Sequence, residues 1–273
     1  MTLIAALPMY DWPELRAETD AVWAGMRVRF LAQGIDAPER LVRRNSDMPP
    51  VPGGIRDEAG SVIAPDPATL DPFSLDLAVL WRHPNLLVSQ TCWGPMELGL
   101  EDHVEVIGQG NYDGITGGAG AFYSSALIAR IGEGGGDVAP SEEGEAILPL
   151  GFFSQKRLAF NEHRSLSGYL SLKRDLQAAG QGLDLFRELV ETGSHRASVI
   201  AVAHGDADIA AIDCKSWMIA QRYEPAAAGL HVVGWTARRR GLPFIRAKGM
   251  DIKLASDGEA GDSVAVNRFC MCL

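Results

Sequence analysis

Basic residues are in short supply: 25 lysines and arginines stand against 35 acidic residues, a formal net charge of −10 at pH 7. A nucleic-acid binder normally carries a basic patch or stripe, so that class is set aside. The acidic balance leaves a small-anion site open, because a few aimed backbone N–H groups hold an anion inside an acidic protein. Long apolar runs are missing too; none approaches the roughly 18–20 residues of a membrane span. The four cysteines, Cys92, Cys214, Cys270 and Cys272, are too few and too unevenly spaced for a disulfide framework or a zinc site. The six histidines show no ligand spacing, so neither a metal nor a cofactor is expected. There is no G-x-S-x-G elbow, H-E-x-x-H, Walker loop or helix-opening G-x-G-x-x-G. The ending CMCL formally matches a prenylation box, with nothing polybasic beside it. The opening MTLIAALPMYD has no basic n-region and reads as a first strand. The expected location is therefore cytoplasmic as written, or periplasmic for a processed form.

What is present is a chain of 273 residues, 47% hydrophobic and 22% charged, suited to one large domain or two lobes. Residues 2–7 form a short apolar run, and a helical pattern follows over about 14–33, stopped by Gly34. Residues 45–72 hold six prolines and little periodicity, and read as an exposed excursion. Buried-type strands are predicted at 86–90 and 104–107. The glycine-dense stretch GQGNYDGITGGAG at 108–120 suits a crossing between lobes. Further strands are predicted at 157–161, 187–191, 209–213, 230–236 and 242–247. Helices are predicted from Ser165 or Ser167 to about 179, at 195–204 and at 215–222. This alternation predicts an α/β fold, mostly parallel sheets with helices on both faces. Residues 1–115 plus 227–273 would form lobe 1, and 116–226 lobe 2.

Ligands of open α/β sheets sit beyond the carboxyl ends of the strands. That rule selects Tyr10, Asp11, Gln90, Thr91, Cys92, Tyr112 and Asp113 from the first half, of which Tyr10, Asp11, Thr91 and Tyr112 are carried forward as site residues. From the second it selects Asn161, Ser165, Ser167, Ser194, His195 and Asp213. SLSG at 165–168 and GSH at 193–195 each set hydroxyls and unpaired N–H groups at a helix start, where the dipole favours negative charge. Plain capping is the other reading of each serine. Asp213 could cap the following helix, orient His195 or meet an amine on a ligand. Ser194 and His195 are adjacent and would diverge, a poor geometry for nucleophile and base. Cys92 lacks an assigned histidine partner. No catalytic residue is assigned.

These stretches together resemble the phosphate/phosphonate-type substrate-binding proteins of ABC transporters, a type II periplasmic-binding-protein family. The matching pieces are LPMYDWPEL at 7–15, LLVSQTCWGPM at 86–96, NEHRSLSGYLSL at 161–172, TGSHRASVIAVAHGDADIAAIDC at 192–214, and VVGWT with GLPFI at 232–245. The resemblance implies two α/β lobes joined by a two-strand hinge that close on a small oxyanion, with an ABC-transporter permease as partner. Ser165, Ser167, Ser194 and His195 would then be anion donors. Tyr10, Thr91 and Tyr112 would come from the facing lobe and hinge, with Asp213 in the cleft wall. The segment 257–273 lacks the closing helix of that pattern. The leading expectation is a non-catalytic binder. The alternative is a cytoplasmic enzyme on the same fold, a dehydratase or lyase of a small carboxylate with Asp11 or Asp213 as acid–base group. A sensor module gating a protein partner is a third reading.

Overall fold

The computed structural model describes residues 2–250. The segment 257–273, with Cys270, Cys272 and the CMCL ending, lies outside the described residues. The first half runs β1 (Ile4–Ala6), α1 (Arg16–Ala32), β2 (Ile55–Arg56), β3 (Val62–Ala64), α2 (Leu77–Arg82), β4 (Leu86–Gln90), α3 (Trp93–Glu97) and β5 (Val104–Gln109). Two short strands, β6 (Gly118–Ala119) and β7 (Phe122–Tyr123), follow. The second half is β8 (Ser125–Arg130), α4 (Leu150–Phe153), β9 (Arg157–Phe160), α5 (Ser171–Ala178), β10 (Glu188–Glu191), α6 (His195–His204), β11 (Ile209–Asp213), α7 (Cys214–Tyr223) and β12 (Leu230–Trp235). The chain then returns through β13 (Arg239–Arg240) to β14 (Pro243–Ala247).

Two sheets organise two lobes. The first has the order β1-β4-β14-β5, the second β10-β9-β11-β8-β12. In β1, Ile4 and Ala6 pack with α2 residues Val79 and Leu80, while Ala5, and Leu7 just beyond the strand, face Trp23, Met26 and Phe30 of α1. The 3–4 residue spacing of those α1 side chains gives one apolar stripe, and strand alternation turns neighbours to opposite faces. The second sheet repeats the sandwich. Leu172 and Leu176 of α5 cover one face, Val199 and Val202 of α6 and Trp217 of α7 the other.

Three expectations change. The sheets are mixed: β1–β4, β9–β10 and β9–β11 pair parallel, whereas β8, β12 and β14 pair antiparallel with their neighbours. Strands that cross between lobes enter a sheet without the crossover helix that parallel pairing requires. Second, β12 pairs with β8 in the second sheet, so the return to the first sheet comes with β14 and not at residue 227. Third, the 45–72 segment is not simply exposed. Asn45, Met48, Ile55 and Ala64 are buried, and the last three join the core against α2.

Two crossings connect the lobes, at 110–124 and at 236–242. They are tied together where β13 pairs with β7 and where Gly241 N–H donates to the Ala121 carbonyl at 2.8 Å. The glycine there is required by contact: a Cβ at Gly241 would overlap the Tyr112 ring.

A candidate anion cleft between the lobes

The helix starts are built as capping chemistry dictates. Ser194 caps α6, its hydroxyl oxygen accepting from Ala197 N–H at 3.1 Å. Gly205, in the left-handed region at φ 81°, ends the helix. Ser165 opens a wide turn over Leu166–Leu170 that leads into α5, accepting from Gly168 N–H at 3.1 Å. In each case the cap uses an oxygen lone pair and leaves the hydroxyl proton available to donate. Capping and anion binding are thus compatible roles.

These two helix starts face one cavity between the lobes, about 540 Å³ in volume. Tyr10, Asp11, Ser165, Ser167, Ser194, His195 and Asp213 all line it. Thr91 and Tyr112 do not line this cavity. Thr91 is fully buried, its N–H donating to the Pro243 carbonyl at 3.1 Å and its hydroxyl without a partner. Tyr112 lies one layer below Tyr10, its phenol oxygen accepting from Leu242 N–H at 3.0 Å.

A hydrogen-bond network runs across the cavity floor. Asp213 Oδ1 accepts from the Tyr10 hydroxyl at 3.1 Å and from the N–H groups of Lys215 and Ser216 at 3.1 and 2.9 Å. With Tyr10 donating to Asp213, the Tyr112 hydroxyl, 3.3 Å away, donates to Tyr10. The other carboxylate oxygen, Oδ2, lies 3.3 Å from His195 Nε2. That nitrogen is also 2.9 Å from Ser167 Oγ. A carboxylate only accepts, so the proton belongs on Nε2. Nδ1 is buried and has no partner. Burial pushes the His195 pKa below its ordinary value, with Asp213 pulling the other way. Burial likewise pushes Tyr10 well up, with Asp213 adding to the shift, so its phenol stays a donor.

Asp213 therefore performs two of the roles open to it from sequence: it caps α7 and orients His195. Asp11 is engaged as well, in a two-pronged pair with Arg43 at 2.6 and 3.0 Å. Asn161, a strand-end candidate from the sequence, lines the cavity too, as do Trp81, Arg164 and Arg196, to which sequence reasoning gave no site role. The Asn161 carboxamide oxygen is buried without a partner, and a Cβ at Gly168 would overlap it. Its place at the end of β9 was the available signal. Nothing local in the sequence marks Trp81, which closes the wall from α2.

Several contacts hold the lobes together around this cavity. Leu166 N–H donates to Cys92 Sγ at 3.2 Å. Arg196 bridges Glu14 of the first lobe, at 3.0 Å, and Glu224 of the second, at 2.8 Å, and lies over the Trp12 ring. Arg174 pairs with Glu97. Gly94 meets the Arg164 carbonyl so closely that a Cβ there would overlap it. This is a closed arrangement.

Residues 96–256 match the family described as the periplasmic phosphonate substrate-binding protein of ABC transporters. The chain belongs to this family. No curated protein matches it in sequence. Its fold is similar to that of PhnD1 from Prochlorococcus marinus, solved in complex with methylphosphonate. The TM-score is 0.58 and the identity 14%, covering 89% of this chain and 75% of that one. A binding-protein component of an ABC phosphonate transporter from Pseudomonas aeruginosa gives a TM-score of 0.55 at 16% identity, covering 91% and 69%. XAC2383 from Xanthomonas citri, bound to chloride, gives 0.54 at 15% identity, covering 91% and 78%. The family's fold is the two-lobed type II architecture seen here, and among the described residues no helix is long and apolar enough to cross a membrane.

Proposed function

We propose that the chain binds a small oxyanion of the phosphonate or phosphate class in the interlobe cleft and hands it to the permease of an ABC transporter. The observation that carries this reading is the convergence of Ser165, Ser167, Ser194 and His195 on one cavity. Each serine lies at or beside a helix start, where N–H groups and the dipole favour negative charge. The methylphosphonate bound to the Prochlorococcus relative suggests the ligand class. An entering oxyanion would accept from the serine hydroxyls and favour the imidazolium of His195, giving Nδ1 a proton to donate. Thr91 and Tyr112 would support the floor from beneath. Lobe closure about the two crossings would then bury the ligand.

A non-catalytic role fits the engagement of both candidate acid–base groups, Asp11 by Arg43 and Asp213 by its three donors and His195. We assign the chain to the periplasm with its family. The test is a thermal-shift series with phosphate, phosphite, methylphosphonate, aminoethylphosphonate, methanesulfonate and succinate. A phosphonate or phosphate should raise the melting temperature in a concentration-dependent way, with the ligand recovered unchanged. Stabilisation by succinate alone, or consumption of the ligand, would overturn the reading.

A further inference from the structure

A second cavity lies behind Tyr10, on the side away from the anion cleft, between α1 of the first lobe and α7 of the second. Its volume is about 300 Å³, at the small end of cavities that hold small molecules. Leu7, Leu15, Val22, Ile219 and Tyr223 make its walls chiefly apolar. At its buried end is Lys215, only 6% exposed. The Lys215 ammonium lies 4.5 Å from the centre of the Tyr10 ring. Among the described residues it makes no ion pair or hydrogen bond. Its mouth is marked by the exposed side chains of Glu18, Met218 and Arg222, whose two charges oppose each other.

A buried ammonium held in no direct ion pair is costly and is normally paired. Here the Tyr10 ring offers partial compensation through its face, and the apolar cavity beside it is open to a guest. Burial pulls the Lys215 pKa down to about 8, partly offset by Asp213, Cys214 and Glu18, so the group is still an ammonium at neutral pH. A single positive charge set among hydrocarbon walls matches a monoanion with an apolar body. It does not match a dianion such as phosphate, which needs several converging donors.

We propose that this cavity is a second binding site, for a small monocarboxylate with an aromatic or aliphatic body. The carboxylate pairs with Lys215, and the hydrocarbon lies against Leu15, Val22 and Ile219. The two sites share Tyr10, which lines both cavities, but recognise different chemistry. The proposal does not depend on what the anion cleft binds.

Titration of the full chain with benzoate, followed by amide NMR, tests it. Shifts should saturate and centre on α1 and α7, in the wild type and in His195→Ala alike. Benzamide, the same shape without the charge, should bind about tenfold more weakly or worse, as should benzoate to Lys215→Met. A cooperative melting transition checks that Lys215→Met is folded. Three results would overturn the site: equal binding of benzoate and benzamide, unchanged benzoate binding in Lys215→Met, or loss of it in His195→Ala. Absence of any saturable shift would do so as well.

Discussion

The phenol of Tyr10, from the first lobe, donates a hydrogen bond of 3.1 Å to Asp213 Oδ1, at the end of the central strand of the second. The same carboxylate holds His195 at 3.3 Å. One bond therefore links lobe closure to the orientation of the imidazole. Tyr10→Phe keeps the ring and deletes the bond. Its expected cost in anion binding is about 1 kcal/mol, or roughly fivefold in Kd, because the bond joins the lobes in the closed arrangement. Isothermal titration with methylphosphonate measures it; an unchanged Kd would separate Tyr10 from the site.

Gly94 gives a sharper test of closure. A Cβ there would overlap the Arg164 carbonyl and press on Leu166 N, both on the opposite lobe. Gly94→Ala should leave each lobe folded but keep them apart. Small-angle scattering should show a larger radius of gyration that no longer contracts with ligand. Anion affinity should fall by about tenfold or more, the effect of blocking the binding-competent state.

Lys215 makes the opposite kind of prediction. An ammonium held below its ordinary pKa by burial destabilises the folded state at every pH below about 8, and the penalty fades as pH rises toward the unfolded value. Lys215→Met should therefore stabilise the protein at pH 7 by on the order of 2 kcal/mol, with the gain shrinking above pH 9. Denaturant melts at the two pH values read this directly.

Asp208 anchors the far end of the second sheet, accepting from the guanidinium groups of Arg130 and Arg157 and from Arg157 N–H. These partners, Arg157 foremost, hold its pKa well below the usual carboxylate range. The stability it contributes is complete above its unfolded pKa of about 4 and lost as pH falls below that. Asp208→Asn should lower the melting temperature at pH 7 and flatten the acid limb of the stability profile. An acid limb identical to that of the wild type would contradict this.

Much of this was legible in the sequence where punctuation is local. Ser194 and Gly205 bracket α6, and Asp213 ends β11 at the residue expected, because caps and left-handed glycines act within a few residues. The 45–72 segment was misread because its buried residues, Asn45, Met48, Ile55 and Ala64, are scattered without period and are buried only against α2. The sheet that takes β12 is decided by pairing with β8, a hundred residues away, which no local pattern records. Of the network joining Tyr10, Asp213 and His195, the Asp213–His195 contact was one of the readings open from sequence, whereas the bond from Tyr10 was not. Lys215 was invisible altogether, since a lysine in the first turn of a helix ordinarily faces water.

The central claim is that Ser165, Ser167, Ser194 and His195 hold one oxyanion, and phosphorus NMR of methylphosphonate tests it most directly. The account predicts a shifted, broadened resonance with wild-type protein that returns to the free position with Ser167→Ala and with His195→Ala, while both variants melt cooperatively. A resonance unmoved by the wild type, or moved equally by all three proteins, would contradict it.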